Sequence, residues 1–125
     1  MEINQVAQQI VDAAYHIHTR LGPGLLESIY EPILTRVLEQ RGLMVERQRP
    51  IPLEFEGLQF KEAFRADLIV ERSVVVELKS IEHLAPVHAK QLLTYVRLLD
   101  LRLGLLINFG APLIKDGIKR IVNGL

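Results

Sequence analysis

Apolar residues recur at spacings of three and four from residue 3 to residue 20, with Val6, Ile10, Ala13, Ala14 and Ile17 in line, and this predicts an amphipathic helix. Leu21-Gly22-Pro23-Gly24 breaks it. Residues 25 to 42, LLESIYEPILTRVLEQRG, repeat the spacing through Leu26, Tyr30, Ile33, Leu34, Val37 and Leu38 and stop at Gly42. They read as a second helix, with a weak spot at Pro32. From Ile51 to Lys79 the period falls to two. IPLEFEG, LQFKEAFRADLIV and SVVVELK alternate or are β-branched, with breaks at Glu56-Gly57 and at Glu71-Arg72-Ser73. That pattern predicts a three-stranded antiparallel meander. Helical spacing returns over residues 87 to 100, behind Pro86, with Leu92, Val96 and Leu99 on one side. LRLGLLINF then reads as a buried strand and residues 113 to 123 as a closing helix. The predicted order is ααβββαβα in one α/β domain over residues 1–125, a mixed central sheet flanked by helices. For the apolar run LRLGLLINFG two placements stay open, a central strand or the edge of a homodimer.

Side chains two apart on a strand share a face, so Glu77 and Lys79 point one way and Leu78 the other. If Glu71, Arg72 and Ser73 form the turn, Val70 pairs with Val74, and counting back brings Asp67 opposite Glu77 with Cβ atoms about 5 Å apart. The same parity gathers Ala66, Leu68, Val70, Val74, Val76 and Leu78 into one apolar face. The other face holds Arg65, Asp67, Ile69, Val75, Glu77 and Lys79, and its two apolar members imply that this side is partly covered as well. Two carboxylates held close raise one another's pKa, and a hard divalent cation between them relieves the strain. Magnesium, or manganese in its place, suits such a site, and Lys79 is placed to orient a water and stabilise charge on phosphorus oxygens.

Asp67, a nine-residue gap and then Glu77-Leu78-Lys79 resembles the PD-(D/E)XK nuclease superfamily. Gly24-Leu25-Leu26-Glu27-Ser28-Ile29-Tyr30 is similar to the signature of the GxxExxY family within it. The resemblance implies a restriction-endonuclease-like αβββαβ core, here with an extra N-terminal helix and a C-terminal helix. It implies that Asp67, Glu77, the Leu78 carbonyl and Glu27 hold Mg2+ and that Lys79 is the catalytic lysine. Gln91-Leu92-Leu93-Thr94-Tyr95 resembles the QxxxY motif of the exonuclease-like branch, which borders the active site. Ala66 stands where the superfamily's name has proline, a position with no catalytic side chain. From the residues themselves Glu27 has a second reading, a first-turn acid complementing the helix dipole. Gln91 and Tyr95 share a helix flank and read equally as the border of the core. Arg65 and Lys90 are candidate phosphate contacts, with an ordinary surface charge as the alternative.

Composition limits these expectations. Nearly half the chain is apolar, so it is globular rather than disordered. Without cysteine, disulfides and thiolate metal sites are excluded, and a cytoplasmic setting is expected. MEINQVAQQI has no basic start or continuous apolar run of a leader, and no stretch approaches the roughly 20 apolar residues of a membrane span. His16 and His18, two apart on a helix, read as surface residues. Fifteen basic and fifteen acidic residues cancel, so the positive field of many nucleic-acid binders is missing. Three functions follow in order: a metal-dependent nuclease acting on DNA ahead of RNA; a non-cleaving nucleic-acid- or protein-binding module on the same fold; and a structural oligomerising protein.

Overall fold

A computed structural model describes all 125 residues. The chain forms α1 (Ile3–Leu21), α2 (Glu27–Gln40), β1 (Val45–Phe55), β2 (Leu58–Val70), β3 (Val74–Lys79), α3 (Pro86–Leu98), β4 (Leu103–Asn108), a 3-10 turn (Ile114–Gly117) and β5 (Ile118–Val122). At the start of α1 the Glu2 carboxylate accepts from Asn4 N–H at 3.0 Å and Gln5 Oε1 accepts from Glu2 N–H at 3.0 Å, a reciprocal cap for otherwise unpaired donors. The predicted stripe Val6, Ile10, Ala13, Ala14 and Ile17 is buried. His18 is buried too, against the surface reading: one turn of helix places it over the C-terminal segment, where its Nε2 lies 2.9 Å from the Ala111 carbonyl. His16 is exposed. Helix α2 runs unbroken through Pro32, which sits near its N-terminus, and buries Tyr30, Leu34 and Leu38.

The five strands lie in the order β1-β2-β3-β4-β5. Only β3 and β4, joined through α3, are parallel; the other neighbours are antiparallel. One core packs α1 and α2 on Leu68, Val70, Val74, Val76, Leu78, Leu105 and Ile107. The other packs Leu92, Tyr95 and Val96 of α3 on Ile51, Ala66, Ile69, Val75 and Leu106. Both faces of the sheet are therefore covered, as Ile69 and Val75 implied. A methyl group on Gly104 would sit 2.9 Å from Val96 Cγ2, so glycine lets α3 approach β4 closely.

Four expectations are corrected. The closing helix over 113 to 123 is instead the short 3-10 turn and β5. All six residues of β4 are buried, and its outer edge needs a hydrogen-bonding partner, which β5 supplies through Ile118, Ile121 and Val122. For the same reason β4, with a strand on each side, is central and offers no edge to a second copy. Ala66 joins the α3-side core and not the face of Leu68 two residues on, because the strand pair reverses faces between them. The first strand also begins at Val45, ahead of the expected Ile51.

Candidate active site

Strands β2 and β3 pair as the turn predicts, with Val70 against Val74, Ile69 against Val75 and Leu68 against Val76. Continuing that register brings Asp67 opposite Glu77, and here side chains replace the ladder. Asp67 N–H donates to Glu77 Oε1 at 2.9 Å, and Leu78 N–H donates to Asp67 Oδ2 at 2.8 Å. Each carboxylate thus satisfies a backbone donor at the point where the strands fork.

Glu77 is only 9% exposed, and Asp67 is half-buried. Burial, and then the Asp67 charge beside it, push the Glu77 carboxyl up to about 8. Burial also raises Asp67, with a further push from the charge of Glu31. The pair therefore retains a proton at neutral pH. The Lys79 side chain, half-buried at the end of β3, makes no hydrogen bond or ion pair, and its charge opposes the rise of Glu77. From α3, Tyr95 closes this side. Its hydroxyl is raised by burial and by the charges of Glu77 and Asp67, and its ring packs on Phe64 at 5.0 Å. Gln91, one turn earlier, is exposed.

On the other side lies a recess of about 320 Å3, bounded by Glu27 and Glu31 of α2, Arg47 and Gln48 of β1, Asp67 and Leu78. Glu27 is exposed at the first turn of α2, and its Oε1 accepts from Ser80 N–H at 3.2 Å. The residues around it explain the local sequence. Tyr30 stacks on Phe109 at 4.3 Å, donates its hydroxyl to the Gly22 carbonyl and accepts from Leu25 N–H at 3.2 Å. Ser80 Oγ donates to the Leu25 carbonyl. The Gly22-to-Glu27 loop is thereby fastened both to its own helix and to the residue following Lys79. Tyr30→Phe should cost about 1–3 kcal/mol in urea unfolding, because it strands two polar backbone groups while keeping the stacked ring.

The far end of β3 is held from β4. Asn108, buried, accepts from Ile81 N–H and Gly110 N–H at 3.0 Å each and donates to the Ile81 carbonyl at 2.9 Å. A methyl group on Gly110 would stand 2.2 Å from the Ile81 carbonyl oxygen, a backbone atom that has no freedom to yield. Gly110→Ala should lower stability by about 2–3 kcal/mol, read as a shifted urea midpoint at unchanged m-value.

The residue-level reading did not single out Glu31. It lies one turn after Glu27 on the same helix, is 8% exposed, and receives Arg47 Nε and Nη2 at 3.2 and 3.1 Å on Oε2 and Gln48 Nε2 at 2.6 Å on Oε1. An acid inside the stripe of Tyr30, Leu34 and Leu38 was the available signal. Of the remaining candidates, Arg65 is exposed and ion-paired with Glu62, and Lys90 is exposed without a partner. Neither borders the recess. His88 is taken up in capping α3, accepting from Ala85 N–H at 3.0 Å.

The donor set suits a hard divalent cation: oxygen ligands only, with two desolvated carboxylates that repel each other until a cation or proton intervenes. No three acidic or histidine side chains come close enough to form a shell unaided. Water and substrate oxygens would complete it, as Mg2+ prefers. A mixed sheet covered by helices, with Asp and Glu-x-Lys at the fork of two strands, defines a class of restriction-endonuclease-like proteins. A family model described as the PD-(D/E)XK nuclease superfamily matches residues 4–121, and the chain belongs to that superfamily. Among curated proteins and among solved structures, none matches. Members of the superfamily generally use divalent metal ions. No helix of the chain is long and apolar enough to cross a membrane.

Proposed function

We propose that this chain is a Mg2+-dependent nuclease that hydrolyses phosphodiester bonds, in DNA ahead of RNA, and that it belongs to the GxxExxY branch of its superfamily. The observation that carries this reading is the carboxylate pair of Asp67 and Glu77, both raised by burial, Glu77 further by the Asp67 charge, and flanked by a Lys79 side chain without a partner. Asp67, Glu77 and the Leu78 carbonyl would hold the metal, with Glu27 completing its shell. The bound ion would supply Lewis acidity and a water of lowered pKa. Lys79 then has two tasks, to align the attacking water and to offset negative charge on the phosphoryl oxygens. Tyr95 and Gln91 border the substrate from α3, Tyr95 excluding water behind Glu77. Arg65 and Lys90 are outlying contacts for the phosphate backbone, Arg65 only after releasing Glu62.

The balanced charge and the engagement of Arg65 by Glu62 favour a second reading, a module that binds without cutting. Calorimetric titration with MgCl2 separates the two. The nuclease reading expects saturable Mg2+ heat that disappears in Asp67→Ala, together with metal-dependent cleavage of single- or double-stranded DNA or RNA. Heat without cleavage of any of these substrates supports the binding module. No heat in the unmodified chain removes the enzyme.

A further inference from the structure

Gln48 lies inside β1 yet has φ of 51°. The other non-glycine residues in this left-handed region, Glu56, Glu71, Arg72 and Asp100, all occupy turns. On both sides of Gln48 the two strands keep one register, with Arg47 against Leu68 and Arg49 against Ala66. The faces, however, exchange across it: Val45 and Leu68 pack toward α1 and α2, whereas Ile51 and Ala66 pack toward α3. A single left-handed residue mid-strand is a strained conformation for a non-glycine side chain, and it persists where the surroundings impose it.

The inversion turns the Gln48 amide into the recess. Its Nε2 donates to Glu31 Oε1 at 2.6 Å and reaches Asp67 Oδ1 at 3.4 Å. Glu31 is itself immobilised, because Arg47 grips its other oxygen through two nitrogens. Asp67 is thus held at both oxygens, Oδ2 by the Leu78 N–H and Oδ1 by an amide fastened to α2. We propose that Gln48 is a positioning residue, strained in order to couple buried Glu31 to Asp67 and fix the direction of the Asp67 carboxylate toward a divalent cation. This deepens the nuclease reading and rests on it. Glu31 and Arg47 act here as the anchor, and their fork-shaped contact explains why an acid is kept in a helix face that otherwise packs apolar groups.

The test uses Gln48→Gly and Gln48→Asn. Glycine relieves the strained φ and asparagine tolerates it, yet neither carries an amide that spans from Glu31 to Asp67. Gln48→Gly should melt at about the temperature of the unmodified protein, because relief of the strained φ offsets the hydrogen bond that buried Glu31 loses, and Gln48→Asn slightly below it. Both should bind Mg2+ about 10- to 100-fold more weakly by calorimetry, the usual loss when a group orienting a metal ligand is removed. In cleavage assays kcat should fall while KM for nucleic acid stays within about twofold. Mg2+ affinity and kcat within about threefold of the unmodified protein in both variants overturn the proposal alone. So does weaker binding accompanied by a lowered melting temperature in both, which assigns Gln48 to the fold. Absence of Mg2+ heat and of cleavage in the unmodified chain ends this proposal together with the nuclease reading, a pattern distinct from either of the others.

Discussion

Glu77→Gln should make the metal-free protein more stable at pH 8 by about 4 kcal/mol and at the same time abolish Mg2+ binding. In the folded chain this carboxyl is pushed up to about 8 from an ordinary 4.5, by burial first and by Asp67 second. The folded state therefore keeps a proton that the unfolded chain has already released between those two values. The stabilisation is fully present below about pH 4.5 and is lost as pH rises through about 8. Glutamine imitates the protonated acid: its carbonyl can accept from Asp67 N–H as Glu77 Oε1 does, and it brings no charge to be desolvated beside Asp67. The variant should lie within about 1 kcal/mol of the unmodified protein at pH 5 and exceed it clearly at pH 8. Added Mg2+ should reverse the order at pH 8, because only the anionic pair gains from the ion. Urea unfolding at the two pH values, with and without MgCl2, checks all three statements. Equal midpoints for the metal-free unmodified protein at pH 5 and pH 8 would mean that the carboxylates are not desolvated together. The trade is the expected one for a functional site, where groups arranged for a ligand destabilise the empty fold.

The hairpin that carries this pair was legible in the sequence because one turn sets its register. Once Glu71, Arg72 and Ser73 close the loop, the two-residue period of strands leaves a single way to align Asp67 with Glu77, and the pairing of Val70 with Val74 bears that out. Helix α1 was equally readable, since its buried positions follow one unbroken stripe. Strand β1 was not. Its first half, VERQRP, is polar and contains the inverted Gln48, so the alternation that marks a strand is reset within it. The same inversion misplaced Ala66 by one face. The closing segment failed for a different reason. Ile114, Ile118 and Ile121 fit a helical spacing, but the buried outer edge of β4 requires a hydrogen-bonding partner, and that demand comes from across the fold rather than from the segment.

The site divides along the same line. Asp67, Glu77 and Lys79 sit on one local hairpin, and spacing alone brought them together. Glu27 reaches them only through a loop fastened by Tyr30 and Ser80, contacts that span 8 and 55 residues to Gly22 and Leu25. Glu31, Arg47 and Gln48 join the recess only once α2 is laid across β1, and no period in either segment announces that. The placement of these side chains on one hairpin was therefore readable and its bracing was not, because the bracing consists of contacts between elements distant in sequence.

Lys79→Ala should reduce cleavage by about 100- to 1,000-fold while leaving Mg2+ binding intact, the opposite division from Asp67→Ala, which should lose both. The lysine shares a face with Glu77 and is half-buried, yet it forms no ion pair with either carboxylate, so its removal takes no metal ligand away. On the proposed reading, what it removes is a positive charge beside the position where phosphoryl charge would develop. Uncompensated charge of that kind is felt in kcat and not in the binding of substrate in its ground state. The melting temperature should change little, since no hydrogen bond or ion pair of Lys79 is broken. Mg2+ affinity should stay the same or tighten, because a cation that repels the metal has gone. Lys79→Arg keeps the charge but spreads it over a plane, and should restore only part of the rate. Cleavage that persists in Lys79→Ala at the unmodified rate, in a preparation shown to bind Mg2+, would place the chemistry elsewhere on the chain.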